Sequence, residues 1–159
     1  MSPSATVVIV HHRQPAKCVA TVRTFLAQEP VTGVVVVDNG SEATDLDSLR
    51  RQLPDVEILA LGANRGFGPG ANAGLRWWLA HGEGDWAVVA PHDARPAEGA
   101  VQALLAVAHQ RRRAGLACAE YGDDTRPVVD PYLGGMVVAL AGAGPWVPTT
   151  HPHGTMLAL

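Results

Sequence analysis

The sequence has no excess of positive charge and few cysteines. Its 159 residues include 12 lysines and arginines against 15 aspartates and glutamates, which gives a formal net charge of −3 at pH 7. Proteins that bind nucleic acid through their overall charge need a basic field, so the composition argues against nucleic acid as a partner. Cys18 and Cys118 form no CxxC pair, and two free thiols are typical of a reducing cytosol. We therefore expect a cytoplasmic protein.

The sequence also lacks a segment with the length of a membrane span or the pattern of a signal peptide. The N-terminal stretch MSPSATVVIV has no basic region and only a four-residue apolar core. Residues 132–147 carry no charge, but they fall short of the roughly 18–20 apolar residues that a span needs. We expect no transmembrane segment, while peripheral contact with a membrane stays open.

Several signatures of nucleotide-binding and hydrolytic enzymes are absent. The stretch GFGPGA at residues 66–71 superficially matches a dinucleotide fingerprint, but those glycines must follow the first strand, where HHRQP contains none. The only lysine is Lys17, and no GxxxxGK[ST] loop surrounds it. The GxSxG, HExxH and zinc-ligand spacings are also missing. These absences argue against a dinucleotide-binding Rossmann protein, a P-loop protein, an α/β-hydrolase and a zinc enzyme.

Apolar runs with the pattern of buried strands alternate with segments of helical periodicity. Strands are predicted at 6–10, 34–37, 56–61, 86–90 and 116–120, and helices at 15–28, 44–53, 71–81 and 96–113. The inner face of the third helix is predicted to consist of Ala71, Leu75, Trp78 and Leu79. This order is typical of an α/β fold, a mostly parallel sheet flanked by helices on both faces. We assign residues 1–120 to this domain and residues 121–159 to the start of a further region that is truncated.

Polar residues follow four of the predicted strands. They read His11-His12-Arg13, Asp38-Asn39-Gly40-Ser41, Asn64-Arg65-Gly66 and His92-Asp93. In open α/β sheets, ligands bind outside the carboxyl ends of the strands, where loops converge and helix N-termini point outward. A single acidic residue after a strand is more typical of a turn or a helix cap. Polar groups at four strand ends favour a shared binding site.

Four of these segments together resemble a known family. VVIVHHR, VVVVDNGSE, LGANRGFGPGANAGLRWWL and WAVVAPHDARP occur in this order. They resemble the nucleotide-sugar-binding half of family 2 glycosyltransferases with a GT-A fold, especially rhamnosyltransferase- and galactofuranosyltransferase-like members. The resemblance covers about residues 5–110. It implies an enzyme that transfers a sugar, with inversion, from a UDP- or dTDP-sugar to a hydroxyl of a glycan, a lipid-linked molecule or a small molecule.

The resemblance also implies roles for the strand ends. The residues implied to bind the nucleotide are His11, His12, Asp38, Asn39, Asn64, Arg65, Gly66 and His92. In this reading Asp38 accepts a hydrogen bond from the base, and Arg65 faces the diphosphate. Asp93 takes the position of the last acid of a DxD-type motif, which holds Mg²⁺ or Mn²⁺ against the diphosphate. This sequence has Pro91 where that motif has its first acid, so the predicted metal site has one carboxylate.

The general base of such an enzyme is not evident. Inverting transfer needs a carboxylate that takes the proton of the acceptor hydroxyl, and the family places it beyond the segments that match here. The later acids are Asp123, Asp124 and Asp130, and solvated loop charges are the commoner interpretation of all three. One alternative is therefore a non-catalytic nucleotide-sugar-binding module that lacks the base. A nucleotidyltransferase is a second alternative, but it requires a glycine-rich basic loop where HHRQP stands.

Overall fold

A computed structural model describes residues 3–111, 113, 115–119, 125–129, 132, 136–140, 146–149, 152 and 154–159. Within residues 3–111, strands and helices alternate as β1 (Ala5–His11), α1 (Pro15–Leu26), β2 (Val31–Asp38), α2 (Ala43–Gln52), β3 (Glu57–Ala60), α3 (Phe67–His81), β4 (Trp86–Pro91) and α4 (Ala100–Gln110). Short strands follow at β5 (Ala117–Cys118), β6 (Thr125–Val129), β7 (Met136–Leu140) and β8 (Leu157–Ala158). The predicted alternation is confirmed.

The main sheet has the strand order β3-β2-β1-β4-β8-β5, and β6 pairs with β7 in a separate two-stranded sheet. The four strands β1 to β4 are parallel, whereas β8 is antiparallel to both of its neighbours. The predicted fifth strand is present, but it pairs with β8 and not with β4, because Leu157 and Ala158 occupy the edge of β4. The α/β fold with a mostly parallel sheet is confirmed. The predicted boundary at residue 120 stays a prediction, although β8 lies beyond it and joins the main sheet.

Alternate side chains of β1 enter two hydrophobic cores on opposite faces of the sheet. Val7 and Ile9 lie in a core with buried residues of α1, α2 and α4. Val8 and Val10 lie in a second core, against which α3 packs. A strand that is covered on both faces reads as a continuous apolar run, which explains the valine-rich sequences of β1 and β2.

Helix α3 packs on the sheet through small residues. Gly70, Ala71 and Gly74 are its buried positions, and a Cβ atom at Gly74 would overlap the side chain of Val8. The predicted inner face was therefore wrong at Leu79, whose side chain is 76% exposed. Glycine carries no hydrophobic signal, so a pattern of large apolar residues does not reveal this contact.

Two helices are shorter than predicted. Helix α1 ends at Leu26. Helix α4 begins at Ala100, because the preceding Gly99 has a left-handed φ of 73° that a right-handed helix cannot include. Among the described residues, no helix is long and apolar enough to cross a membrane.

Candidate functional site

The register of the sheet brings three strand ends together. His11, the last residue of β1, pairs with Asp38, the last residue of β2, and the Asn39 N–H donates to the His11 carbonyl at 2.8 Å. On the other side of β1, the His92 N–H donates to the Val10 carbonyl at 3.1 Å. The carboxyl ends of β1, β2 and β4 therefore form one edge, as the polar strand ends predicted.

His11 and Asp38 form the buried centre of this edge. They are 0% and 1% exposed, and His11 Nε2 lies 3.9 Å from Asp38 Oδ1, which is too long for a hydrogen bond. The ring of His92 meets the ring of His11 edge-on, with centroids 5.3 Å apart. The Ser41 N–H donates to Asp38 Oδ2 at 3.2 Å. One carboxylate oxygen of Asp38 is therefore bound within the protein, while the other faces the histidines.

Several polar atoms at this edge are buried without a hydrogen-bond partner. They are both ring nitrogens of His11, Nδ1 of His12, Oδ1 of Asp38 and Nε2 of His92. A buried polar atom without a partner costs about 1–3 kcal/mol, and native structures contain few of them. Their concentration at three neighbouring strand ends is typical of a site that completes its hydrogen bonds with a ligand.

His11 is held in its neutral form. Burial lowers its pKa to about 4, and the neighbouring His92 acts in the same direction, whereas the carboxylate of Asp38 acts against it. At neutral pH the imidazole therefore offers one N–H donor and one nitrogen acceptor. Burial, with a smaller effect of Asp38, raises the pKa of the nearby Cys18 thiol to about 12, so no reactive thiolate forms there.

The side chain of Asn39 binds the loop between β3 and α3. Its Nδ2 donates to Asn64 Oδ1 at 3.2 Å and to the Gly66 carbonyl at 3.1 Å, and its Oδ1 accepts from the Arg65 N–H at 2.9 Å. Asn64 Oδ1 also accepts from the Gly66 N–H at 2.9 Å. The structure thus links the predicted residues of β2 and of the loop through Asn39.

Arg65 presents an exposed guanidinium from the loop that Asn39 binds. Its side chain is exposed, and no ion pair to it occurs within the described residues. It borders a groove of about 190 Å³ between the end of β3 and helix α3, lined by Leu61, Arg65, Pro69, Asn72, Ala73 and Arg76. An exposed guanidinium on a loop bound to the end of β2 is suited to a phosphate group.

Asp93 lies in a loop that α1 holds in place. The Thr21 hydroxyl donates to the His92 carbonyl at 2.6 Å, and Arg95 Nη1 donates to Thr21 Oγ1 at 2.7 Å. Asp93 itself is exposed, and among the described residues no group of three or more His, Cys, Asp or Glu side chains could hold a metal ion. The predicted metal site therefore stays a prediction that rests on one carboxylate.

Two residues that were not predicted to bind the nucleotide shape the site. Ser41 binds Asp38, and its Oγ accepts from the N–H of Arg13, which has a left-handed φ of 52°. Thr21 fixes the loop of Asp93 from the middle of α1. Ser41 stands next to the predicted residues in the sequence, whereas no local signal marks Thr21. The acids considered for the general base lie outside the described residues.

Comparison with known proteins finds similarity to sugar-transferring enzymes. The family model described as glycosyl transferase family 2 matches residues 6–148. The N-acetylglucosaminyl-diphospho-decaprenol L-rhamnosyltransferase of Mycobacterium tuberculosis is 32% identical over 102 residues, which cover 57% of this chain and 32% of that protein.

Solved structures show the same fold. The mannosyltransferase PcManGT from Pyrobaculum calidifontis, in complex with GDP-Man and Mn²⁺, matches with a TM-score of 0.59 at 23% identity, over 76% of this chain and 36% of that chain. S. aureus TarS 1-349 matches with a TM-score of 0.51 at 19% identity, over 68% and 33%. The predicted GT-A-like fold is confirmed. The chain spans about a third of the length of these relatives.

Proposed function

The chain belongs to glycosyl transferase family 2, and from this premise we propose that it is the donor-binding part of an inverting glycosyltransferase. The donor in this proposal is a UDP- or dTDP-sugar. The observation that carries the proposal is the group of unpaired buried polar atoms at the ends of β1, β2 and β4, and the exposed Arg65 lies on the loop that Asn39 ties to the end of β2. The name of the rhamnosyltransferase relative specifies a decaprenol-linked diphosphate, which supports a lipid-linked acceptor here.

The hydrogen-bonding groups at the strand ends support a uracil or thymine base. Such a base presents one N–H between two carbonyl oxygens. Asp38 Oδ1 is an unpaired acceptor for that N–H, and the unpaired histidine nitrogens supply donors for the flanking carbonyls. Guanine presents two adjacent donors, which match both oxygens of a carboxylate, and the Ser41 N–H already takes one acceptor position of Oδ2. Because Asp38 is only 1% exposed, this proposal requires the side chains that cover Oδ1 to move before the base can contact it.

The residues present fit a divalent cation that binds together with the donor. Mg²⁺ and Mn²⁺ take oxygen ligands and often bind through one or two carboxylates plus phosphate oxygens and water. In this proposal Asp93 supplies the carboxylate, and Arg65 contacts the diphosphate. When bound, the cation would neutralise negative charge on the nucleotide leaving group. The protein's own residues bind the base, orient the diphosphate and keep water from the buried edge.

Calorimetric titration tests this proposal. UDP, dTDP and GDP are titrated into the wild-type chain and into Asp93→Ala, each with and without Mn²⁺. We expect UDP and dTDP to bind more tightly than GDP, and Mn²⁺ to tighten their binding only where Asp93 is intact. Asp55→Ala, which removes an exposed carboxylate near the opposite edge of the sheet, is the matched control. Equal affinities for all three nucleotides would refute the base assignment, and an equal effect of Mn²⁺ in both chains would refute the role of Asp93.

A further inference from the structure

We propose that Asn39 is a positioning residue that fixes Arg65 at the diphosphate and does not itself contact the nucleotide. The inference rests on the proposed function. It changes the role that the family resemblance implies for Asn39, which is one of direct nucleotide binding.

The carboxamide of Asn39 is already used by the protein. The residue is 3% exposed, and both hydrogens of Nδ2 have acceptors, Asn64 Oδ1 and the Gly66 carbonyl. Its Oδ1 accepts from the Arg65 N–H at 2.9 Å. The ring nitrogens of His11 and Oδ1 of Asp38 are left unpaired, whereas every polar atom of the Asn39 side chain has a partner. A ligand would therefore have to displace existing hydrogen bonds to reach Asn39.

The neighbouring Gly40 packs against the same loop through its backbone. Gly40 has a φ of 80°, and a Cβ atom there would lie 2.4 Å from the Ala63 carbonyl carbon and from the Asn64 nitrogen. Real Cβ atoms do not approach backbone so closely, so only glycine lets the loop rest on this turn. We call Asn39 and Gly40 together the seat of residues 63–66: the Asn39 side chain hydrogen-bonds to this loop, and the Gly40 backbone packs against it.

The seat matters because it fixes the backbone from which the Arg65 side chain extends. No ion pair or side-chain hydrogen bond to the guanidinium occurs in the described part of the chain, so the backbone of Arg65 sets which region the guanidinium can reach. Successive residues of a strand point to opposite sides. Asp38 can therefore face the base while Asn39 holds the loop that carries the phosphate contact. The end of β2 thus sets the spacing between the two halves of the nucleotide site.

A double-mutant cycle tests this role. UDP and uridine are titrated into the wild type, Asn39→Ala, Arg65→Ala and the double variant. We expect Arg65→Ala to weaken UDP binding about tenfold, as for one charge-assisted hydrogen bond, and to leave uridine within about twofold. Asn39→Ala should weaken UDP but not uridine, and the double variant should bind UDP no more weakly than Arg65→Ala. Gln102→Ala, which removes an exposed amide on α4, should change neither ligand.

Two outcomes would overturn the positioning role. Equal weakening of uridine and UDP by Asn39→Ala would mean that Asn39 contacts the nucleoside. If the fold-changes in UDP affinity of the two single variants multiply in the double variant, the two residues act independently.

If Asn39→Ala does not fold, Asn39→Ser serves in the same cycle. A wild type that binds neither UDP nor uridine would refute the proposed function first, whereas faster hydrogen exchange at the Arg65 amide in the Asn39 variant would still show that the seat holds the loop.

Discussion

His11 and Asp38 stand opposite each other at the ends of two buried strands, yet they form no hydrogen bond. A charged histidine would pair with the carboxylate, but burial and His92 lower the pKa of His11 and keep it neutral. The result is a carboxylate oxygen that keeps its capacity to accept a hydrogen bond. A site of this kind gives up stability in the empty protein and regains it when a ligand supplies the missing donor.

The neutral state of His11 predicts a pH dependence of stability. Its pKa falls from 6.5 to about 4 on folding, so between these values the unfolded chain binds the proton more readily. Stability is therefore lost as pH falls from 6.5 towards 4, by an amount on the order of 3 kcal/mol from this residue. Replacing His11 by Gln should flatten that part of the curve, measured by urea denaturation at several pH values.

The control for this measurement is His109→Gln, an exposed histidine on α4, which should keep the wild-type curve. His12, Asp45, His92 and Asp38 also act on His11, so the comparison is the difference between variant and wild type at each pH. The same slope in both His11→Gln and wild type would contradict the neutral assignment.

Helix α3 shows how one element sets the geometry of the site. It approaches β1 closely enough that Gly74 contacts Val8, and Asn39 and Gly40 hold its preceding loop on β2. Both contacts bring the N-terminus of α3 to the strand ends. A helix that packed through large side chains would lie farther from the sheet and would carry Arg65 away from Asp38.

The packing of α3 predicts opposite effects for two glycine substitutions. Gly74→Ala places a methyl group against Val8 and Val37, and we expect it to destabilise the fold by about 1–3 kcal/mol despite the better helix propensity of alanine. Gly68→Ala is the matched control, because no atom lies within 4 Å of its added Cβ. It should leave stability unchanged or raise it by up to about 1 kcal/mol. Urea denaturation of both variants measures the difference, and equal destabilisation would contradict this packing.

Particular elements show what the sequence predicts and what it does not. The valine runs of β1 and β2 and the polar residues after them predict both the sheet and the edge that carries the site. The exposed position of Leu79 could not be predicted, because the contact that orients α3 is made by glycines. The contacts of Thr21 with the loop of Asp93 and of Ser41 with Arg13 depend on residues brought together only by folding. The run Met156–Leu159 suggests a strand, but the pairing of β8 with β4 and β5 could not be predicted, because these partners lie far away in the sequence.

The last described residues belong to the same core as the first strand. Met156 is 4% exposed and Ala158 is fully buried, and both lie in the core that contains Ala5, Val7 and Ile9. Strand β8 also separates β4 from β5, so the sheet is complete only with this segment. The α/β fold therefore draws on residues on both sides of the predicted boundary at residue 120.

This arrangement predicts that Met156→Ala destabilises the whole fold. Removing a buried methionine side chain leaves a cavity in the core shared with β1 and α4, for which we expect a loss of about 2–5 kcal/mol in the free energy of unfolding. Leu79→Ala is the matched control, since its side chain is 76% exposed and should change stability by less than about 0.5 kcal/mol. If residues 121–159 instead folded as an independent unit, Met156→Ala would leave the unfolding of the β1–α4 region unchanged. Hydrogen exchange in β1 separates these outcomes, because protection of Val7 and Ile9 falls only if β8 stabilises their core.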